Sequence, residues 1–183
     1  MLALVLPLHL VSTGVGPFYD GAAHFFVSIE ELLPVLTLSL LAGMRGPRAG
    51  RFTLLILPLA WLLGGLAGLA TPILSPPVMV TTALLIVPGV LVASDRELPL
   101  PIIIGLAALF GLWAGYLNGG AMAAAGAGVL AVVGAACSAL LVTTLFAAFA
   151  ASLRTGWPRI ALRVAGSWVA ALALLALGWT LKR

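Results

Sequence analysis

Four ionisable side chains stand close together in one stretch of this chain. They are Asp20, His24, Glu30 and Glu31, within GPFYDGAAHFFVSIEELLPVLTLSLL at residues 16–41. Imidazole suits nickel, zinc or copper, and carboxylates accept several metals, so the set has the chemistry of a divalent-cation site. On a continuous helix, offsets of four, four and three place Asp20, His24, Ser28 and Glu31 along one stripe. Glu30 sits about 100° round the axis from Glu31. Pro34 lacks an N–H, which leaves the carbonyl of Glu30 without its usual helical partner. The same residues admit a plainer reading. Asp20 and His24 then lie at a lipid–water interface, and the glutamates form the first turn of the next helix, where the helix dipole favours acids.

The elements that must position these groups follow from composition. The 183 residues are 63% hydrophobic and 8% charged, and the mean hydropathy is +1.24. A soluble domain carries roughly 25% charged residues, so the chain reads as an integral membrane protein. The expected fold is all-α: one polytopic helical bundle over residues 16–183, preceded by a short, signal-like apolar segment at 1–15. Alternating apolar and polar residues, which a membrane barrel needs, are absent. A formal charge of +4 does not indicate nucleic-acid binding, because most basic residues flank apolar segments, where topology accounts for them. Cys137 is the lone cysteine, so no intramolecular disulfide forms.

About six spans are expected, near 28–44, 52–70, 78–93, 98–117, 129–151 and 160–180. A proline-punctuated turn covers 71–77, and Asn118-Gly119-Gly120 is expected to break the fourth span. Basic loops follow the first span (Arg45, Arg48, Arg51) and the fifth (Arg154, Arg159, Arg163). Alternating crossings put both loops on one side, assigned to the cytoplasm, with Asp20 facing outward. Ala60, Gly64 and Gly68 recur every four residues, as do Ala107, Gly111, Gly115 and Gly119. Such small-residue seams let helices approach closely. Trp113, Trp157, Trp168 and Trp179 suit membrane boundaries or packing.

On these features the chain resembles the HupE/UreJ family of hydrogenase and urease accessory membrane proteins, small multi-span bacterial proteins associated with nickel supply. The family's signature, His-Pro-x-x-Gly-x-Asp-His at the start of a span, falls on HFFVSIEE. His24 matches its first histidine, Glu30 stands for its aspartate and Glu31 replaces its second histidine, while Phe25 and Ser28 replace its proline and glycine. A second motif, His-Gly-x-Ala-His-Gly, falls on AGYLNG. Gly115 and Gly119 match, and Ala114 and Asn118 replace its histidines. The missing imidazoles move the site from nitrogen towards oxygen ligands.

The resemblance implies a bacterial inner-membrane permease or uptake component for a divalent metal ion, nickel or a related one. Its ligands would be Asp20, His24, Glu30, Glu31 and, should the two motifs meet, Asn118. The alternative is a non-conducting accessory protein that helps a partner metalloenzyme mature. The lipid bilayer is a partner in either case. An enzyme is not expected, since an intramembrane metal hydrolase needs three strong ligands and an open position. The only imidazoles are His9 and His24, and a bis-histidine haem would require that pair to meet. No Walker-type loop is present, so energy would come from a gradient or a partner.

Overall fold

A computed structural model describes residues 12–72, 78–153 and 156–182. Among them every regular element is an α-helix: α1 (Pro17–Val27), α2 (Ile29–Met44), α3 (Pro47–Ala70), α4 (Val78–Ser94), α5 (Leu100–Ala124), α6 (Val129–Ser152) and α7 (Trp157–Leu181). His9, Arg154 and residues 73–77 of the proline-punctuated turn lie outside the described residues. Prolines sit in the first turns of α1, α3, α5 and α7, where a missing N–H costs nothing and φ is already helical. Only Arg45 and Gly46 join α2 to α3. Gly46 turns the chain at φ 104°, a conformation glycine adopts without a Cβ clash.

Helices α3, α5, α6 and α7, each of 24 or 25 residues, are long and apolar enough to cross a membrane. The pair α1 and α2 meets the same criteria jointly but bends by 75° at its break, which gives four spans, or five with the bent pair counted as one. The expected span at 78–93 is α4, an apolar helix shorter than α3, α5, α6 and α7. The bundle turns leucines outward: Leu55, Leu59 and Leu63 form an exposed stripe on α3. In a membrane that stripe meets lipid rather than water.

The most extensive contact joins α3 to α5. It is built from the two small-residue seams, which face each other. Gly111 lies against Leu57 and Ala60, Gly115 against the backbone of Trp61, and Gly119 against the backbone of Gly65. Gly64 and Gly68 meet the backbone at Leu112 and Tyr116 in return. Residue numbers rise together along the seam, so the two helices are parallel, with α4 as the return. The Tyr116 hydroxyl donates to the Thr71 carbonyl at the far end of this seam.

One expectation needs correction here. Asn118-Gly119-Gly120 does not break the fourth span, because α5 runs through it to Ala124. Glycine weakens an isolated helix in water. In an apolar bundle an open turn would strand backbone polar groups without water, and Gly119 in helix gains close contact with Gly65.

The basic loops gather at one end, as the span order requires. Asp95, in the turn after α4, accepts from Arg45 at the end of α2 and from Arg159 at the start of α7. Arg159 grips it through Nε and Nη2, both at 2.8 Å. The Arg159 guanidinium, followed by Arg45, holds the Asp95 carboxyl below its ordinary value against a partial desolvation. Arg163 Nε donates to the Ala93 carbonyl at 3.1 Å.

Candidate functional site

Ser28 marks the junction of α1 and α2. Its backbone is extended, at φ −81° and ψ 93°, and it serves as C-cap of one helix and N-cap of the next. Its N–H donates to the His24 carbonyl, closing α1, and its carbonyl accepts from Glu31 and Leu32, opening α2. Serine at such a position commonly caps with its hydroxyl, but here no side-chain cap forms. The Ser28 Oγ instead lies 3.3 Å from His24 Nε2.

The 75° bend overturns the stripe expected of a continuous helix. Asp20, His24, Ser28 and Glu31 do not share one helical face. The break nonetheless returns His24 towards the first turn of α2, where its Nε2 stands 3.8 Å from Glu31 Oε1. Helix α5 supplies the third member. Asn118 Nδ2 donates to Glu31 Oε1 at 2.7 Å and to Oε2 at 2.8 Å. All four side chains are buried: His24, Ser28, Glu31 and Asn118 are between 1% and 8% exposed.

The neighbourhood is apolar and tightly packed. Phe25, beside His24 in sequence, is fully buried and meets Trp61 of α3 edge-on at 5.4 Å. Trp61 in turn backs Gly115, one turn before Asn118. In so dry a setting a polar group without a partner is costly. The Oδ1 of Asn118 is buried with no hydrogen-bond partner among the described residues, which leaves a carbonyl oxygen available within the cluster.

The other two candidate ligands stand apart. Asp20 accepts from the Thr13 N–H and hydroxyl, each at 2.6 Å. Glu30 is exposed in the first turn of α2. Among the described residues no three of His, Cys, Asp and Glu converge on one point. A cation here would therefore rest on the His24 nitrogen, the Glu31 carboxylate and the neutral oxygens of Ser28 and Asn118. The sequence reading left Ser28 out of the ligand set and missed Thr13. Four-residue spacing places Ser28 beside His24, but not among the ligands; Thr13, on the loop before α1, carries no pattern that would flag it.

The end of α1, Ser28 and the first turn of α2 carry the first motif segment and the late turns of α5 the second, so tertiary structure brings the two together. A search of curated proteins and a search of solved structures each returned no match. A family profile described as HupE / UreJ protein matches residues 2–176, nearly the whole chain. With that coverage, and with both motif segments meeting at one buried polar cluster, the chain belongs to the HupE/UreJ family.

Proposed function

We propose that this protein is a permease or uptake component for a divalent metal ion, nickel or a related one, in the bacterial inner membrane. The observation that carries the reading is the contact among His24, Glu31 and Asn118. Three separate helices each contribute one metal-competent group to a buried point, and ionisable groups at membrane depth ordinarily mark an ion path. Asp20 and Glu30 lie nearer solvent and would collect cations on the outward side. The basic end, with Arg45, Arg48, Arg51 and Arg159, would face the cytoplasm.

Asn118 suits this role because its amide has two faces. The Nδ2 side holds the Glu31 carboxylate when no ion is present. Turning the amide over presents Oδ1, which has no partner among the described residues, to an ion held by that carboxylate. Uptake of nickel, cobalt, zinc and manganese into proteoliposomes tests the proposal. Wild type should accumulate at least one of these ions, and Glu31→Gln should not. No uptake of any ion by folded wild type would reject conduction.

A second reading is a non-conducting accessory protein for metalloenzyme maturation. Both Glu31 oxygens are already occupied by Asn118, so the contact could serve only to dock α2 against α5. Stable protein that conducts nothing, with Glu31→Gln affecting maturation of a partner metalloenzyme in cells, would favour it.

A further inference from the structure

At the basic end, far from the His24 cluster, two recesses adjoin. The first lies between α2, α3, α6 and α7. Its walls include Gly43, Met44, Ala150 and Leu153, and its polar members are Arg45 and Arg159. The second is a groove of about 220 Å³ between α3 and α6, walled by Gly50, Leu54, Thr144, Ala147 and Ala148, with Arg51 beside it. Pro47 and Ala151 border both. The groove exists because small side chains recur on the facing surfaces: Gly50 on one helix, Ala147, Ala148 and Ala151 on the other.

The two recesses differ in chemistry. The groove is apolar, since the Thr144 hydroxyl is spent on the Leu140 carbonyl at 2.7 Å and Arg51 Nε reaches only the Pro47 carbonyl, at 3.3 Å. The recess beside it is cationic. The Arg45 side chain is 7% exposed and pairs with Asp95 through one Nη. Its Nε is buried with no partner among the described residues. Asp95 and Glu97 are the acids acting on this corner, against Arg45, Arg51 and Arg159. A buried guanidinium N–H without an acceptor is costly, and a phosphate oxygen is the acceptor that guanidinium geometry fits best.

We propose that these adjoining recesses form a binding site for an anionic phospholipid, with its phosphate at Arg45 and one acyl chain in the α3–α6 groove. Basic pockets between transmembrane helices suit acidic head groups, and the adjoining groove is apolar, as an acyl chain requires. The site is independent of ion conduction. Its effect would be to brace the α2–α3 turn against α6 and α7 at the Asp95 junction.

The test is native mass spectrometry of the full-length, delipidated protein in detergent. The probes are phosphatidylglycerol and phosphatidylcholine with matched chains, with inorganic phosphate as competitor. Phosphatidylglycerol should be retained over phosphatidylcholine, and Arg51→Gln should lower retention about fivefold, the effect of one arginine near an anionic lipid. Ala148→Trp, which fills the groove, should abolish retention while leaving Arg45, Arg51 and Arg159 in place. Arg45→Gln should also lower it. Should that variant fail to fold, the Arg51 and Ala148 variants decide, since neither residue touches Asp95. Equal retention of the two lipids, or retention unchanged in both deciding variants, overturns the proposal. Full displacement by millimolar inorganic phosphate overturns it too, because the groove would then contribute nothing.

Discussion

Asn118 on α5 donates its single Nδ2 group to both carboxylate oxygens of Glu31 on α2, at 2.7 and 2.8 Å. The contact joins residues 87 apart in the chain and buries both ends. It therefore serves stability and the proposed ion chemistry together, and variants can separate the two. Asn118→Leu leaves a buried carboxylate without its donor and should cost about 1–3 kcal/mol. Leu at both positions should recover most of that loss, because neither group is then left unpaired. Glu31→Gln should fold at near wild-type stability yet lose cation uptake. Thermal unfolding in detergent, read beside proteoliposome uptake, checks all three.

Cation binding at this cluster should compete with protons. An ion held by His24 and Glu31 needs the imidazole neutral and the carboxylate ionised. Affinity should fall as the medium is acidified, and His24→Ala should lower affinity and flatten that dependence. The effects of His24→Ala and Glu31→Ala should be non-additive, since ligands of one ion act as a unit. Calorimetric titration with nickel at two pH values would show it. Equal affinity in wild type and both variants would remove the metal site.

The glycine seam gives a sharp contrast within one helix. A Cβ at Gly115 would run into the backbone of Trp61, whereas one at Gly105 meets nothing within 4 Å. Gly115→Ala should destabilise by about 1–3 kcal/mol or more, because backbone cannot yield as a side chain can. Gly105→Ala should be neutral or stabilise by up to about 1 kcal/mol through helix propensity. Unfolding midpoints of the two variants in one detergent suffice.

The Asp95 junction should impose an acid limit on stability. Its carboxyl titrates below the ordinary value of 3.8, chiefly through Arg159. A depressed carboxylate contributes stability that is complete above its unfolded value and is lost as pH falls through the folded one. The loss should therefore appear below about pH 4. Asp95→Asn should lower stability at neutral pH and remove that acid limb. Asparagine tolerates the backbone at φ 50°, so the variant tests charge rather than strain. A pH series of unfolding midpoints for both proteins is the measurement.

Orientation is testable with the exposed Cys137 replaced by alanine. A cysteine at position 48 should resist an impermeant reagent applied outside intact cells, and one at position 20 should react. The reverse pattern would invert the proposed topology.

Residue types and spacing alone determined that this is a helical membrane protein, where its apolar segments lie and which end is basic. Those properties are local: hydropathy, proline at helix starts and charge beside a span act within a few residues. The sequence also displayed both small-residue seams, Ala60–Gly64–Gly68 and Ala107–Gly111–Gly115–Gly119. It could not show that they pair with each other, because a seam records closeness without naming its partner. At Ser28 the sequence left two readings open, a continuous helix with a polar stripe or a new helix with Glu30 and Glu31 in its first turn, and the fold takes the second. From Pro17 to Leu33 there is no internal proline and Gly21 is the one glycine, so local sequence also permits a continuous helix; the 75° bend arises where α1 packs across α6, with Gly21 against Ala131 and Gly134 against Phe18. Asn118 shows the same division. Its position looked like a helix end, yet it lies inside α5, where an apolar surround favours unbroken backbone hydrogen bonding and where Glu31, from a distant segment, accepts its amide. Which polar groups meet is decided by helix packing, and packing is a property of the assembled bundle that no single segment encodes.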